Sequence, residues 1–369
     1  MRKINLFLAA MIIFGADSSW AATRSRRYKN FRMRDKHDRA TTPEKAKTAK
    51  TGTSAADEAP IMAGRWAPEV RAAINRFIET RGRGAPGYNA AKPPVAVLPW
   101  SDAMVVGDPA ELVFLRMTTE VKFRINDDWW QIVPVAHGRQ PARAAYEAFI
   151  HLSSSVWQNQ PDYHRYRKTI LDSYIGLCRG VGRRECRTYL MRLWAGWRAD
   201  DATDYARRVI EEEKARPAAV EVVRAEESDA KGLKLRRGLR LIPEMRNLAL
   251  RLRAAGVDVW VIDDVPQPVL AAAAADYGID PSRVVGLRPV MEGPRVTASV
   301  LKPIPTRGGK TEIVQSSLGR PADFVLGRDS ADIEVLEYGE GLRVVLSGDL
   351  ALTAKAQEKG WLLQSSLAR

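Results

Sequence analysis

Cysteine is almost missing: Cys178 and Cys186 are the only two in 369 residues. That excludes a small scaffold stapled by many bridges. A Cys/His metal centre is also excluded, because none of His37, His137, His151 or His164 stands at ligand spacing from either thiol. Long apolar runs are missing beyond the first residues; no later segment approaches the ~20 apolar residues that a membrane-spanning helix needs. There is no G-x-S-x-G nucleophile elbow and no fixed-period repeat. Gly308-Gly309-Lys310-Thr311 resembles the end of a phosphate-binding P-loop, but that motif needs a glycine where Ile304 stands.

What is present suits a sizeable folded core, with 45% hydrophobic and 28% charged residues. Met1-Arg2-Lys3, the apolar run from Leu6 to Phe14 and Ser19-Trp20-Ala21 follow the charged, apolar and small-residue order of a secretory signal peptide. The expectation is cleavage after Ala21 and a periplasmic or secreted protein; the other reading of the run is an uncleaved anchor. The net charge of +14 is concentrated early, where eleven Lys/Arg between Arg24 and Lys50 face only Asp35, Asp38 and Glu44. Residues 22–62 therefore read as a basic, disordered linker. In an exported chain it suits weak contact with anionic membrane or envelope surfaces rather than nucleic acid.

Periodicity supplies the elements. Val70, Ile74, Phe77 and Ile78 share one face of a helix over Pro68–Thr80, closed by Gly82. Residues 110–235 read as helical, with segments near Pro141–Ser153, Tyr163–Cys178, Arg184–Trp197 and Thr203–Lys214. Val95–Leu98 and Val257–Ile262 are apolar runs suited to buried parallel strands. A helix over Pro266–Asp276 ends at Gly278, Val284–Val290 with Arg295–Leu301 suggests a hairpin, and Phe324–Leu326 and Arg343–Leu346 are further strands. Cys178 and Cys186 bracket the turn between two of the expected helices; an oxidising compartment permits a bridge there, and two buried thiols are the alternative. Trp129, Trp130, Trp157, Trp194, Trp197, Tyr163, Tyr166 and Tyr174 serve either helical packing or a cation–π pocket.

The motifs lie at the ends of these strands. Pro94–Asp108 reads PVAVLPWSDAMVVGD; the later segments are Gly238-Leu239-Arg240-Leu241-Ile242-Pro243-Glu244-Met245, Trp260-Val261-Ile262-Asp263-Asp264-Val265-Pro266, Gly308-Gly309-Lys310, and Gly327-Arg328-Asp329-Ser330-Ala331-Asp332-Ile333-Glu334-Val335-Leu336. In order and spacing, from Trp66 to Gln364, the chain resembles the exported phosphoserine and phosphorylcholine phosphatase group of the haloacid dehalogenase (HAD) superfamily. The resemblance implies an α/β, three-layer Rossmannoid core with a parallel sheet (63–109 and 236–369) and an inserted all-helical cap (110–235).

It also implies which chemistry is lost. The family uses a D-x-D turn after the first strand, a Ser/Thr after the second, a lysine, and an acidic motif that holds Mg²⁺. Here Pro99 and Ser101 replace the two aspartates, Asp263 replaces the Ser/Thr, and Arg328 stands at the first acidic place; Lys310 and Asp332 remain. Proline cannot attack phosphorus, and an always-protonated guanidinium opposes a cation. The expectation is a silent protein without a cofactor, binding an anionic small molecule or an envelope protein through Lys310, Arg328, Asp332 and Asp263. The alternative is a living phosphomonoesterase with a rearranged carboxylate set (Asp102, Asp263, Asp264, Asp329 and Asp332), needing Mg²⁺ held by Asp329 and Asp332.

Overall fold

The apolar run Val95–Leu98 forms a strand buried on both faces, and the rest of the chain is arranged around it. In the computed structural model, which describes residues 60–368, the order of elements is α1 (Pro68–Arg81), β1 (Val95–Leu98), β2 (Val105–Val106) and α2 (Pro109–Thr119), then α3 (Arg139–Phe149), α4 (Pro161–Gly180), α5 (Arg183–Arg192) and α6 (Ala199–Ala215). A hairpin of β3 (Ala219–Val223) and β4 (Leu233–Arg237) follows, then β5 (Arg240–Leu241), α7 (Pro243–Ala254), β6 (Asp258–Pro266), α8 (Gln267–Ala274), β7 (Val284–Leu287), β8 (Pro289–Glu292) and β9 (Arg295–Val300). The chain closes with α9 (Gly308–Leu318), β10 (Phe324–Gly327), α10 (Ile333–Tyr338), β11 (Leu342–Ser347), α11 (Leu350–Lys359) and β12 (Leu362–Ser365). The expected leader and nearly all of the expected basic linker fall outside the described residues.

Six strands make one parallel sheet in the order β12-β11-β10-β1-β6-β7. Alternate side chains enter opposite layers: Ala96, Leu98 and Val261 pack with Val70 and Ile74 of α1, while Val95, Val97 and Ile262 pack with Ile313 and Val314 of α9 and Leu336 of α10. The architecture is therefore α/β in three layers. Between β2 and β5 the chain leaves the core for the helical cap. Those two short strands pair antiparallel, Val105 opposite Leu241, so the exit and the return form one two-stranded hinge.

Three expectations need correction. The inserted segment is not all-helical, because β3 and β4 pair antiparallel from Ala219 opposite Arg237 to Val223 opposite Leu233. Its outward positions carry Val220, Val222, Lys234 and Arg236, an alternation with β-branched residues that overlapped a helical reading. The hairpin expected over Val284–Val290 divides: Val284–Leu287 joins the main sheet beside β6, and only Pro289–Glu292 pairs back on Arg295–Val300. Ordered packing also begins before residue 63, since Ile61 is fully buried and its amide donates to Asn75 Oδ1 at 3.0 Å. Cys178 and Cys186 are joined, with Cα atoms 5.0 Å apart; so short a loop contributes about 2–3 kcal/mol by the chain-entropy account.

Candidate functional site at the strand ends

Parallel strands with helical crossovers bring their C-terminal ends, and the loops that follow, to one edge of the sheet. Here β1 lies between β10 and β6, so the turn at Pro99–Asp102, the Asp263-Asp264 pair and Arg328-Asp329 meet. Lys310 enters from the first turn of α9. That approach needs a glycine before it: a Cβ on Gly309 would lie 1.9 Å from the carbonyl oxygen of Ile304. The GGK run is thus a close-packed helix start and not a phosphate loop.

Asp263 is the centre of the cluster. Its carboxylate is buried and accepts the Trp100 amide at 2.8 Å, the Ser101 amide at 3.3 Å and the Ser101 hydroxyl at 3.0 Å. Burial by itself pushes its pKa up, but the charges of Lys310, Arg183 and Arg328 and the Trp100 N–H outweigh this and hold the carboxyl well below the ordinary range. A turn whose successive amides converge on one point is an anion site; in this protein the anion is the chain's own side chain.

Every other charge in the cluster is also engaged. Buried Lys310 donates to Asp332, which accepts in addition the amides of Arg328 at 2.8 Å and Asp329 at 3.3 Å. Burial opposes the Lys310 charge, yet Asp332 and Asp263 raise its pKa above the usual lysine value. Arg328 donates to Asp102 Oδ2 at 2.7 Å and also to Asp329. Asp102 sits at φ 50°, a left-handed conformation that aspartate tolerates better than most residues. Burial and the nearby Asp332 charge raise the Asp329 pKa despite its arginine partners.

The cap closes over this edge with two arginines that the sequence reading did not single out. Arg183, at the start of α5, holds Asp264 with two hydrogen bonds of 2.8 and 3.0 Å and lies 3.6 Å from Asp329. One turn later, Arg187 pairs with Asp108 and approaches Asp264 at 3.9 Å. Asp108 is at the same time the N-cap of α2, accepting the amides of Ala110 and Glu111. The disulfide joins α4 to α5 around the turn from which Arg183 projects.

Lys310, Arg328, Asp332 and Asp263 are therefore brought together as expected, but not as open ligand-binding groups. Six carboxylates (Asp102, Asp108, Asp263, Asp264, Asp329, Asp332) meet four cations (Lys310, Arg183, Arg187, Arg328), and each cation already has a carboxylate partner. No unpaired cation of this set is left for an incoming anion. The residues do not fit Mg²⁺ either: the Arg328 guanidinium bridges Asp102 and Asp329, the carboxylates a metal would take. Among the described residues no group of three or more His, Cys, Asp or Glu is arranged to hold a metal ion. Of the cap aromatics, Trp129, Trp130, Trp157, Trp194, Trp197, Tyr163, Tyr166 and Tyr174 are all buried, mostly in edge-to-face or tilted stacks, and form the cap's core.

No family model and no curated protein matches the chain. Among solved structures it is similar to a conserved protein of unknown function from Anaerococcus prevotii, with a TM-score of 0.69 and 20% identity over 82% of this chain and 93% of that one. A protein of unknown function from Bordetella pertussis matches at a TM-score of 0.49 and 14% identity, covering 74% and 98%. A substrate-bound phosphoserine phosphatase matches at 0.38 and 10%, covering 74% and 93%. The central β1, its parallel neighbours β10 and β6, and a cap inserted right after β1 give the architecture. The fold is a three-layer α/β architecture of the kind seen in the Anaerococcus prevotii protein. This likeness is one of architecture and brings no activity with it; the parallel-sheet core supplies the strand-end edge, and the residues at that edge decide the chemistry.

The depressed Asp263 pKa has a consequence for stability. A carboxyl whose folded pKa lies below its unfolded value, about 3.9 for aspartate, stabilises the fold above that value and loses the contribution as pH falls toward the folded pKa. The urea midpoint of the wild type is expected to fall more steeply below about pH 4 than that of Asp263→Asn, which has no carboxyl to titrate at this position. Parallel curves for the two proteins from pH 6 to pH 3 would contradict the assignment.

Proposed function

We propose that this is an exported, HAD-like protein that has lost phosphatase chemistry and works by binding an envelope partner rather than by turnover. The observation that supports this best is the Asp263 carboxylate in the amide-lined turn of β1. An acyl-phosphate mechanism needs a carboxylate on that turn as nucleophile and a free space for the phosphoryl group beside it. Pro99 supplies no nucleophile, Ser101 donates its hydroxyl to Asp263, and Asp263 fills the space where the amides converge. The rearranged set of Asp102, Asp263, Asp264, Asp329 and Asp332 does not help, since Asp102, Asp264, Asp329 and Asp332 are tied to Arg328, Arg183 and Lys310 and Asp263 is held by Trp100 and Ser101. A small anion reaches the amides only by displacing Asp263, which favours a macromolecular partner over a free phosphate. The leader-like N-terminus supports export, and the basic segment after it supports weak contact with anionic surfaces.

The test is to vacate the site. In Asp263→Ser the Trp100 and Ser101 amides and Lys310 lose one internal anion, so inorganic phosphate is expected to bind in calorimetric titration at millimolar concentration or below. The wild type is expected to show no heat of binding at this site. Phosphate binding by the wild type with the same affinity as Asp263→Ser would mean that Asp263 is not the occupant.

A further inference from the structure

The two faces of the β3–β4 hairpin differ sharply in charge. Strand alternation turns Glu221 and Val223 toward the protein, where the Glu221 carboxylate meets Arg167 and Arg237 and Val223 is buried. The outer face carries Val220 and Val222 of β3, with Arg236 and Lys234 opposite them on β4, and Arg224 one step beyond. A Cβ on Gly232 would come within 2.5 Å of Val222 Cγ1 and 3.0 Å of Arg224 Cγ, so these two side chains share that face. Val220 and Val222 keep 60% and 37% of their surface exposed. Arg224, Lys234 and Arg236 are exposed too, and none of them is in an ion pair among the described residues. The one acid among the paired residues is turned inward; Glu226 and Glu227 belong to the connecting loop, and Asp229 of that loop is held by Lys168. Three free cations interleaved with two exposed valines complement a surface that is anionic outside and apolar just beneath.

We propose that this hairpin face docks on an anionic lipid surface, as a contact separate from the basic segment over 22–62. The three cations meet lipid phosphates, each favouring the bound state by roughly fivefold. Val220 and Val222 enter the boundary between headgroups and acyl chains. The proposal rests on the export reading given above, but it uses neither Asp263 nor Arg328, so phosphatase activity at the strand ends would leave it intact.

The experiment is flotation of the purified full-length protein with phosphatidylglycerol vesicles and with phosphatidylcholine vesicles. A second arm uses Val220→Cys carrying a polarity-sensitive fluorophore, which the two native cysteines do not compete for because they are joined. Binding to the phosphatidylglycerol vesicles only is expected, with a blue shift of the label. Arg224→Gln/Lys234→Gln/Arg236→Gln should weaken that binding by about tenfold or more. Val220→Thr/Val222→Thr, which keeps the strand-favouring branch at Cβ, should weaken it severalfold. Equal binding to phosphatidylcholine, binding indifferent to both variants, or binding without a shift of the label overturns the proposal and leaves any contact to the basic segment. A shift produced by polyglutamate and not by vesicles overturns it in favour of an acidic protein partner.

Discussion

Lys310→Met is expected to lower the free energy of unfolding by about 3–5 kcal/mol, the scale on which breaking a buried ion pair leaves an uncompensated charge. Lys310 and Asp332 are both almost wholly buried, and Lys310 is also the foremost charge holding Asp263 ionised. Methionine matches the length of the stem and removes only the ammonium, so the loss reports charge and not packing. Asp332 then has the Arg328 and Asp329 amides and no counter-charge. Urea unfolding at pH 7 measures the effect, and Lys310→Met/Asp332→Leu should recover part of it because no isolated charge remains from the pair. A loss below about 1 kcal/mol, typical of exposed pairs, would mean that water reaches this cluster and that the cleft is open.

The second large effect is an absence followed by a gain. Pro99→Asp alone is expected to give no Mg²⁺-dependent hydrolysis of p-nitrophenyl phosphate above background. The new carboxylate would stand on the turn whose amides already serve Asp263, Arg328 would still bridge Asp102 and Asp329, and Ser101 cannot protonate a leaving group. Groups that act as a unit are strongly non-additive. The combination Pro99→Asp, Ser101→Asp, Asp263→Ser and Arg328→Asp removes the internal anion and the blocking cation while restoring nucleophile and acid/base, and is expected to give measurable turnover that EDTA abolishes. Robust activity from Pro99→Asp alone would contradict the blocking role assigned to Arg328.

The strands of the core were legible because parallel strands buried on both faces leave continuous apolar runs, as at Val95–Leu98 and Phe324–Leu326. The helices α1, α4 and α6 were legible from their 3.6-residue periodicity and their proline and glycine punctuation. The order of motifs placed Pro99, Asp263, Lys310 and Arg328 at one edge correctly. Their pairing was hidden, because whether a lysine and an arginine face a cleft or each other depends on packing at distances of a few ångströms. Arg183 and Arg187 were hidden altogether. They look like ordinary charges on a solvated helix face, and only the docking of the cap brings Arg183 to Asp264, 81 residues away. The aromatics of the cap carried two readings at helical spacing, and burial decided between them in favour of the core.

The central claim is that the strand-end site performs no phosphoryl transfer. It is tested most directly by incubating the purified wild-type protein with p-nitrophenyl phosphate and with phosphorylcholine, with and without added Mg²⁺. The expected result is hydrolysis at the background rate under every condition. Turnover that depends on Mg²⁺, stops with EDTA and disappears in Asp332→Ala would contradict the claim and show that the paired carboxylates rearrange into a working site.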